Sequence, residues 1–383
     1  MREKQGNGGI VLDRAGRMNR FVCGTCNADY PLQEPRWRCD CGGLLDIDFS
    51  FSLNPAVLKD RKPNLWRYRE AIPIDEDRNI VSFDEGFTPL LPIELEGRVF
   101  YAKLDYLFPS GSFKDRGATV LVSKVKELGI RKVVEDSSGN TGCAISAYCA
   151  RAGIECDIFV PDKTSVEKLN QIQYYGARLH KIPGPREATA QAAMQAAETA
   201  YYASHVWNPF FHQGTKTVAY ELWEQLGFRI PDALLLPTGN GSLLIGAYLG
   251  FQDLLKQGFI SRIPRLIAVQ SERCAPLYRM FKENRLELPN IESETTVAEG
   301  IAIAAPARAK QIVDRVRETG GDFLTVSERE VHEARRDLGR IGLFVEPTSA
   351  SAVAGYRNYK PNRSEVAVVL LTGHGLKSHV SLQ

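Results

Sequence analysis

From about residue 99 onward the chain is expected to fold as α/β, with mostly parallel sheet covered by helices. Three features predict this: short runs of branched apolar residues, helix-period stretches alternating with them, and Gly/Ser/Asn turns where the runs end. Strands that are apolar at every position are those buried on both faces. In chain order, Ser112 is placed to cap a helix running to about Glu127. A strand over 132–135 leads through a Ser/Gly/Asn turn into a small-residue helix ending near Ala150. Residues 157–160 form the next strand, followed by a helix over 166–175. The run 233–236 precedes a Gly-rich turn and a helix from about Leu243, and the runs 266–269 and 366–371 complete the buried strands. Two zones lie before this unit: residues 1–50 with a cysteine cluster, and residues 51–98 with prolines, charges and little periodicity. No internal repeat or low-complexity tract is present.

At 383 residues the chain has material for two to three domains and a large buried core. Its 44% hydrophobic and 25% charged composition is that of a globular protein. A net charge of +2 argues against a nucleic-acid or polyanion binder. No apolar run approaches the ~20 residues that span a bilayer, and residues 1–9 lack the apolar segment of a secretory signal. A cytoplasmic protein with reduced cysteines is the expectation.

Ligands of open parallel sheets bind beyond the carboxyl ends of the strands. Three strand ends carry unusual turns: residues 136–142 (Asp-Ser-Ser-Gly-Asn-Thr-Gly), 237–242 (Pro-Thr-Gly-Asn-Gly-Ser) and 371–375 (Leu-Thr-Gly-His-Gly). Gly239 and Gly241 would let the backbone approach a ligand, with amides at a helix start forming an anion site. The spacing is neither a Walker loop nor G-x-G-x-x-G, which leaves a single phosphate on a small cofactor or a plain tight turn. Lys114 falls in the first turn of its helix, where the macrodipole lowers an ammonium pKa and makes a Schiff-base nucleophile. The alternative for Lys114 is a surface lysine paired with Asp115 or Glu127.

Taken together, the stretches Glu85-Gly-Phe-Thr-Pro-Leu90, Ser112-Phe-Lys-Asp-Arg-Gly117, Ser138-Gly-Asn-Thr141, Gly214-Thr-Lys-Thr217, Val345-Glu-Pro-Thr-Ser-Ala350 and Leu371-Thr-Gly-His-Gly-Leu-Lys377 resemble the fold type II pyridoxal phosphate (PLP) enzymes, the tryptophan synthase β family. Within it the chain is most similar to threonine synthases, over roughly residues 80–380 and in the family's order. The resemblance implies two open twisted, mostly parallel sheets with flanking helices. It divides the chain into a large PLP-phosphate-binding domain (51–100 and 206–383) and a small mobile domain (101–205), behind a zinc-ribbon-like module (1–50). It also implies that Lys114 holds PLP as an internal aldimine and transfers protons, that Phe113 flanks the ring, and that Asn140 bonds the phenolic oxygen. Gly239, Asn240, Gly241, Ser242 and Leu243 would cradle the phosphate, and Thr372 would face the pyridine nitrogen. Ser137, Ser138, Gly139 and Thr141 would bind the carboxylate of a small amino-acid substrate, and related enzymes are often homodimers.

The match departs at the substrate. Threonine synthases commonly place Asn-Ser before an Asn-Pro and Arg shortly after it; here His205, Val206 and Phe211 stand there, and Phe cannot replace a guanidinium fork. Lys216, Arg116 and His212 are the candidates to compensate. Threonine synthase, converting O-phosphohomoserine and water to threonine and phosphate, is therefore one expectation. β-Replacement on an activated serine, as in cysteine or cysteate synthases, and Ser/Thr dehydration are the others. Cys23-x2-Cys26, twelve residues, then Cys39-x-Cys41 matches a zinc-ribbon pair with an unusually tight second half. Structural zinc, metal-free thiols and a redox pair all remain open there, as does a nucleic-acid- or protein-contacting ribbon. Cys143, Cys149 and Cys156 are expected to pack in the core. Glu346 is expected either to order the cofactor pocket or to cap the helix after Pro347.

Overall fold

The computed structural model describes residues 19–162, 166–184, 186–360 and 364–378. The amino-terminal stretch considered above as a secretory signal lies outside them. The first sheet is antiparallel, in the order β2-β1-β3, from β1 (Arg20–Cys23), β2 (Asp29–Pro31) and β3 (Leu45–Asp48). Three short strands cannot bury a core alone. Phe21, Cys23, Leu32, Cys39 and Leu45 accordingly share one apolar cluster with Val133, Cys143 and Ile158 of the neighbouring lobe. Phe21 meets Phe210 edge-on at 5.5 Å, and Trp37 meets Tyr202 at 5.0 Å and Trp207 at 5.9 Å.

The hairpin β4 (Leu90–Leu95) and β5 (Arg98–Lys103) leads to α1 (Lys114–Glu127). There follow β6 (Lys132–Glu135), α2 (Asn140–Ala152), β7 (Glu155–Pro161), α3 (Val166–Tyr174), β8 (Arg178–Ile182), α4 (Arg186–Ala196) and β9 (Tyr201–Tyr202). These strands form a wholly parallel sheet in the order β8-β7-β6-β9. The chain continues through α5 (Pro209–Thr215), α6 (Thr217–Gln225), β10 (Ala233–Pro237), α7 (Ser242–Lys256), β11 (Arg265–Ser271), α8 (Pro276–Lys282) and α9 (Ala309–Glu318). It ends with β12 (Asp322–Val326), α10 (Glu328–Arg340), α11 (Pro347–Asn358) and β13 (Ala367–Leu370). The large sheet runs β12-β11-β10-β13-β5-β4, parallel except for the antiparallel edge strand β4.

The central strands show why their sequences are apolar throughout. Leu234 and Leu236 of β10 pack into the cluster on one face of the sheet, while Ala233 and Leu235 pack into that on the other. Val368 and Leu370 of β13 alternate with Ala367 and Val369 in the same way. Cys143, Cys149 and Cys156 are buried in the small-lobe core, as expected of packing residues. β5 runs on to Lys103 inside the large sheet, so a division at residue 101 cuts a strand.

Candidate active site

The ends of β6, β10 and β13 open onto one cleft between the six-stranded and the four-stranded sheet, a cavity of about 470 Å3. β10 and β13 are adjacent although distant in sequence, and such a change of strand order opens a crevice. Phe113, Lys114, residues 137–141, residues 239–243 and Thr372 all line it.

Lys114 is brought there by pairing between distant segments. The Phe113 amide donates to Thr372 O at 2.9 Å, and Ser112 forms an antiparallel bridge with Gly373. That pairing also corrects the expected cap. Phe113, already helical (φ −55°, ψ −15°), takes the position before α1, and the buried Ser112 hydroxyl has no hydrogen-bond partner among the described residues. The turn is closed instead by Asp115, whose carboxylate accepts from the Ser110 amide at 2.8 Å. Lys114 Nζ donates to Ser242 Oγ at 3.2 Å and lies 4.7 Å from the centre of the Phe113 ring. Burial lowers its pKa to about 8, against the opposing charges of Glu135 and Glu346. Desolvation prepares this amine.

Opposite Lys114, residues 239–243 wrap the start of α7. Gly241 has φ +73°, and a Cβ there would lie 2.3 Å from Ile312 Cδ1, so only glycine fits. Asn240 Nδ2 sits 3.3 Å from His205 Nε2, and His205 Nδ1 is 3.1 Å from Glu135 Oε1. Asn140 Nδ2 donates to both oxygens of Glu346, at 2.9 and 3.2 Å. Glu346 precedes α11 yet makes no side-chain cap bond; it faces the pocket. The buried Thr372 hydroxyl has no hydrogen-bond partner among the described residues. These three elements fit PLP: a glycine cradle at a helix start for its phosphate, an amine of lowered pKa for its aldehyde, and an unspent hydroxyl for its ring nitrogen.

The residues expected to compensate at the substrate are not brought to the cleft. Lys216 Nζ bonds Asp253 at 3.0 Å and lies 4.9 Å from the Phe51 ring centre. Arg116 is fully buried, with Nε 2.8 Å from Asp105 and Nη1 2.6 Å from Glu221, which also holds Lys103 at 2.7 Å. His212 is buried too, and desolvation pushes its pKa well down. Phe211 packs against Gly117 of α1. The cleft does contain two charged residues that sequence reasoning passed over: Lys168 of α3 and Glu299, paired at 2.9 Å. No signal marked them, since a lysine on a helix and a glutamate opening a short 3-10 turn are ordinary sequence features.

The four clustered cysteines converge away from this cleft. Their sulfurs lie within 4.8 Å of one another, with Cys23–Cys41 at 3.6 Å and Cys26–Cys39 at 3.5 Å. A ZnS4 tetrahedron with bonds of about 2.3 Å has edges of roughly 3.8 Å, so the set is compatible with a structural zinc despite its tight second pair. The Thr25 amide donates to Cys23 Sγ at 3.4 Å, helping to support thiolate character there.

The family described as pyridoxal-phosphate dependent enzyme matches residues 81–373, and the chain belongs to that family. It is a PLP-dependent lyase of threonine synthase-like sequence. The threonine synthase of Methanocaldococcus jannaschii is 34% identical over 372 residues, 93% of this chain and 92% of that protein. That of Methanosarcina acetivorans is 34% identical over 376 residues, 94% and 92% of the two chains. Among solved structures, the serine racemase from Dictyostelium discoideum is similar with a TM-score of 0.65 and 26% identity, covering 77% of this chain and 94% of that one. A PLP-dependent aspartate racemase shares the fold, with a TM-score of 0.66 and 22% identity, over 85% of this chain and 97% of that one. No helix among the described residues is long and apolar enough to cross a membrane.

Proposed function

We propose that this enzyme is a threonine synthase, converting O-phosphohomoserine and water to threonine and phosphate. The observation carrying this reading is similarity to threonine synthases along more than nine-tenths of both chains. Residues 239–243 would hold the cofactor phosphate, Thr372 its ring nitrogen and Asn140 its phenolic oxygen, with Phe113 beside the ring. Bound PLP would supply the electron sink that makes the proton on the amino-bearing carbon, and then one on the neighbouring β carbon, removable. Lys114, with its pKa near 8, is half-charged close to physiological pH and suited both to take a proton from carbon and to return it. The amides and hydroxyls of Ser137, Ser138, Gly139 and Thr141, at the start of α2, orient the substrate carboxylate. Phosphate then departs from the γ carbon and water adds at the β carbon.

The same reading takes the lobe carrying residues 137–141 as the smaller, moving domain, the assembly as a homodimer and the setting as the cytoplasm. β-Replacement on an activated serine, or Ser/Thr dehydration, is the second reading. It is favoured by the absence from the cleft lining of Val206 and Phe211, which stand where threonine synthases place phosphate contacts. A panel of O-phosphohomoserine, O-phosphoserine, O-acetylserine and threonine separates the two. Threonine formed from the first substrate alone supports the proposal; turnover of only the others refutes it.

A further inference from the structure

Among the described residues lining the cleft, three side chains are basic: Lys114, Lys168 and His205. Lys114 is committed to the cofactor aldehyde. His205 lies between Glu135 and Asn240, where it steadies the phosphate loop. That leaves Lys168. Building on the threonine synthase reading, we propose that Lys168 is the specificity-determining residue for the distal phosphate of the substrate, exchanging Glu299 for that dianion when substrate enters.

The pair is built unevenly. The Lys168 side chain is 9% exposed, whereas that of Glu299 is 64% exposed. A buried ammonium requires a counter-charge, because solvent cannot reach it well enough to stabilise it. An exposed carboxylate loses little by turning back into water, and exposed ion pairs contribute little. An arriving phosphate dianion can therefore displace Glu299 while Lys168 stays where it is. Glu299 and Glu346, also in the desolvated surroundings of Lys168, raise its pKa against the effect of burial and keep it charged. Lys168 also supplies what the chain otherwise lacks at this point, since Phe211 is packed under α1 and Lys216 and Arg116 are held by Asp253 and by Asp105 and Glu221. Lys168 follows β7 and residues 137–141 follow β6, so neighbouring strands of one sheet would grip the two ends of one substrate. Glu299 additionally acts as a screen: an uncharged distal group gains nothing by breaking its ion pair.

The test uses the full-length holoenzyme and three ligands: O-phosphohomoserine, inorganic phosphate as a bare probe of the anion site, and threonine, which has no distal charge. For Lys168→Met we expect kcat/KM for O-phosphohomoserine and the affinity for inorganic phosphate to fall about 10–100-fold, the loss typical of one charge-assisted hydrogen bond. Threonine binding, read from the visible spectrum of the cofactor, should move less than about threefold. Lys168→Arg should restore part of the phosphate affinity, and Glu299→Gln should tighten phosphate binding several-fold. The proposal is overturned if Lys168→Met weakens threonine and phosphate equally, or leaves phosphate binding unchanged. If Lys168→Met does not fold, Glu299→Gln decides, and unchanged phosphate affinity there also overturns the proposal. Lys168-dependent phosphate binding without turnover of O-phosphohomoserine would sink the threonine synthase reading and leave the anion site standing. Turnover that is indifferent to Lys168 would do the reverse.

Discussion

Replacing Lys114 by Met should abolish activity and yet stabilise the PLP-free protein, with a dependence on pH that identifies the cause. Desolvation in the cleft lowers the ammonium pKa from 10.5 to about 8. A shift of that size corresponds to roughly 3 kcal/mol of folding free energy lost below pH 8, an upper figure because water can enter the cleft. Between pH 8 and 10.5 the unfolded chain holds a proton that the folded one does not, so wild-type stability rises with pH through that window. Methionine of similar length carries no charge and escapes the penalty. The variant should therefore gain up to about 3 kcal/mol in urea unfolding at pH 7, with the gain shrinking to near zero by pH 10.5. A difference independent of pH, or a loss of stability at pH 7, would refute desolvation as the origin of the poised amine.

The same pKa predicts that PLP attaches to the stripped protein through a neutral amine, with a rate that climbs through a midpoint near pH 8; a midpoint near 10.5, measured by borohydride-trapped incorporation, would contradict it. Thr372→Val removes a buried hydroxyl with no partner, so it should leave the stability of the PLP-free protein level or slightly raised while lowering kcat about tenfold. Breaking the fully buried Asp105–Arg116–Glu221 network with Arg116→Met should cost about 3–5 kcal/mol in chemical denaturation, because Asp105 loses its counter-charge and Glu221 is left with Lys103 alone. Elemental analysis should find one zinc per chain, lost in Cys39→Ser, with the thermal midpoint lowered by about 5 °C or more.

Much of this architecture was legible because function and burial constrain short stretches. The strands read correctly (β6, β7, β10, β11, β13) lie inside the two sheets and are apolar on both faces. Those missed include the edges: β4 and β12 of the large sheet and β8 of the small one, whose outward residues interrupt any apolar run. The cofactor turns were visible because close backbone approach demands Gly, Ser and Asn at fixed places. Tertiary pairing was not visible. Nothing near Ser112 foretells its bridge to Gly373, and nothing near Lys216 foretells that Asp253 of α7 holds it. Lys168 was missed for the opposite reason: its helix looks ordinary until the fold carries it to the cleft.

The central claim is that this site makes threonine from a phosphorylated homoserine. Its most direct test is product analysis of the purified holoenzyme incubated with O-phosphohomoserine in water enriched in oxygen-18. The account predicts threonine and inorganic phosphate in equal amounts, with the label in the threonine β-hydroxyl. Phosphate release accompanied by 2-oxobutyrate instead of threonine, or no release at all, would contradict it.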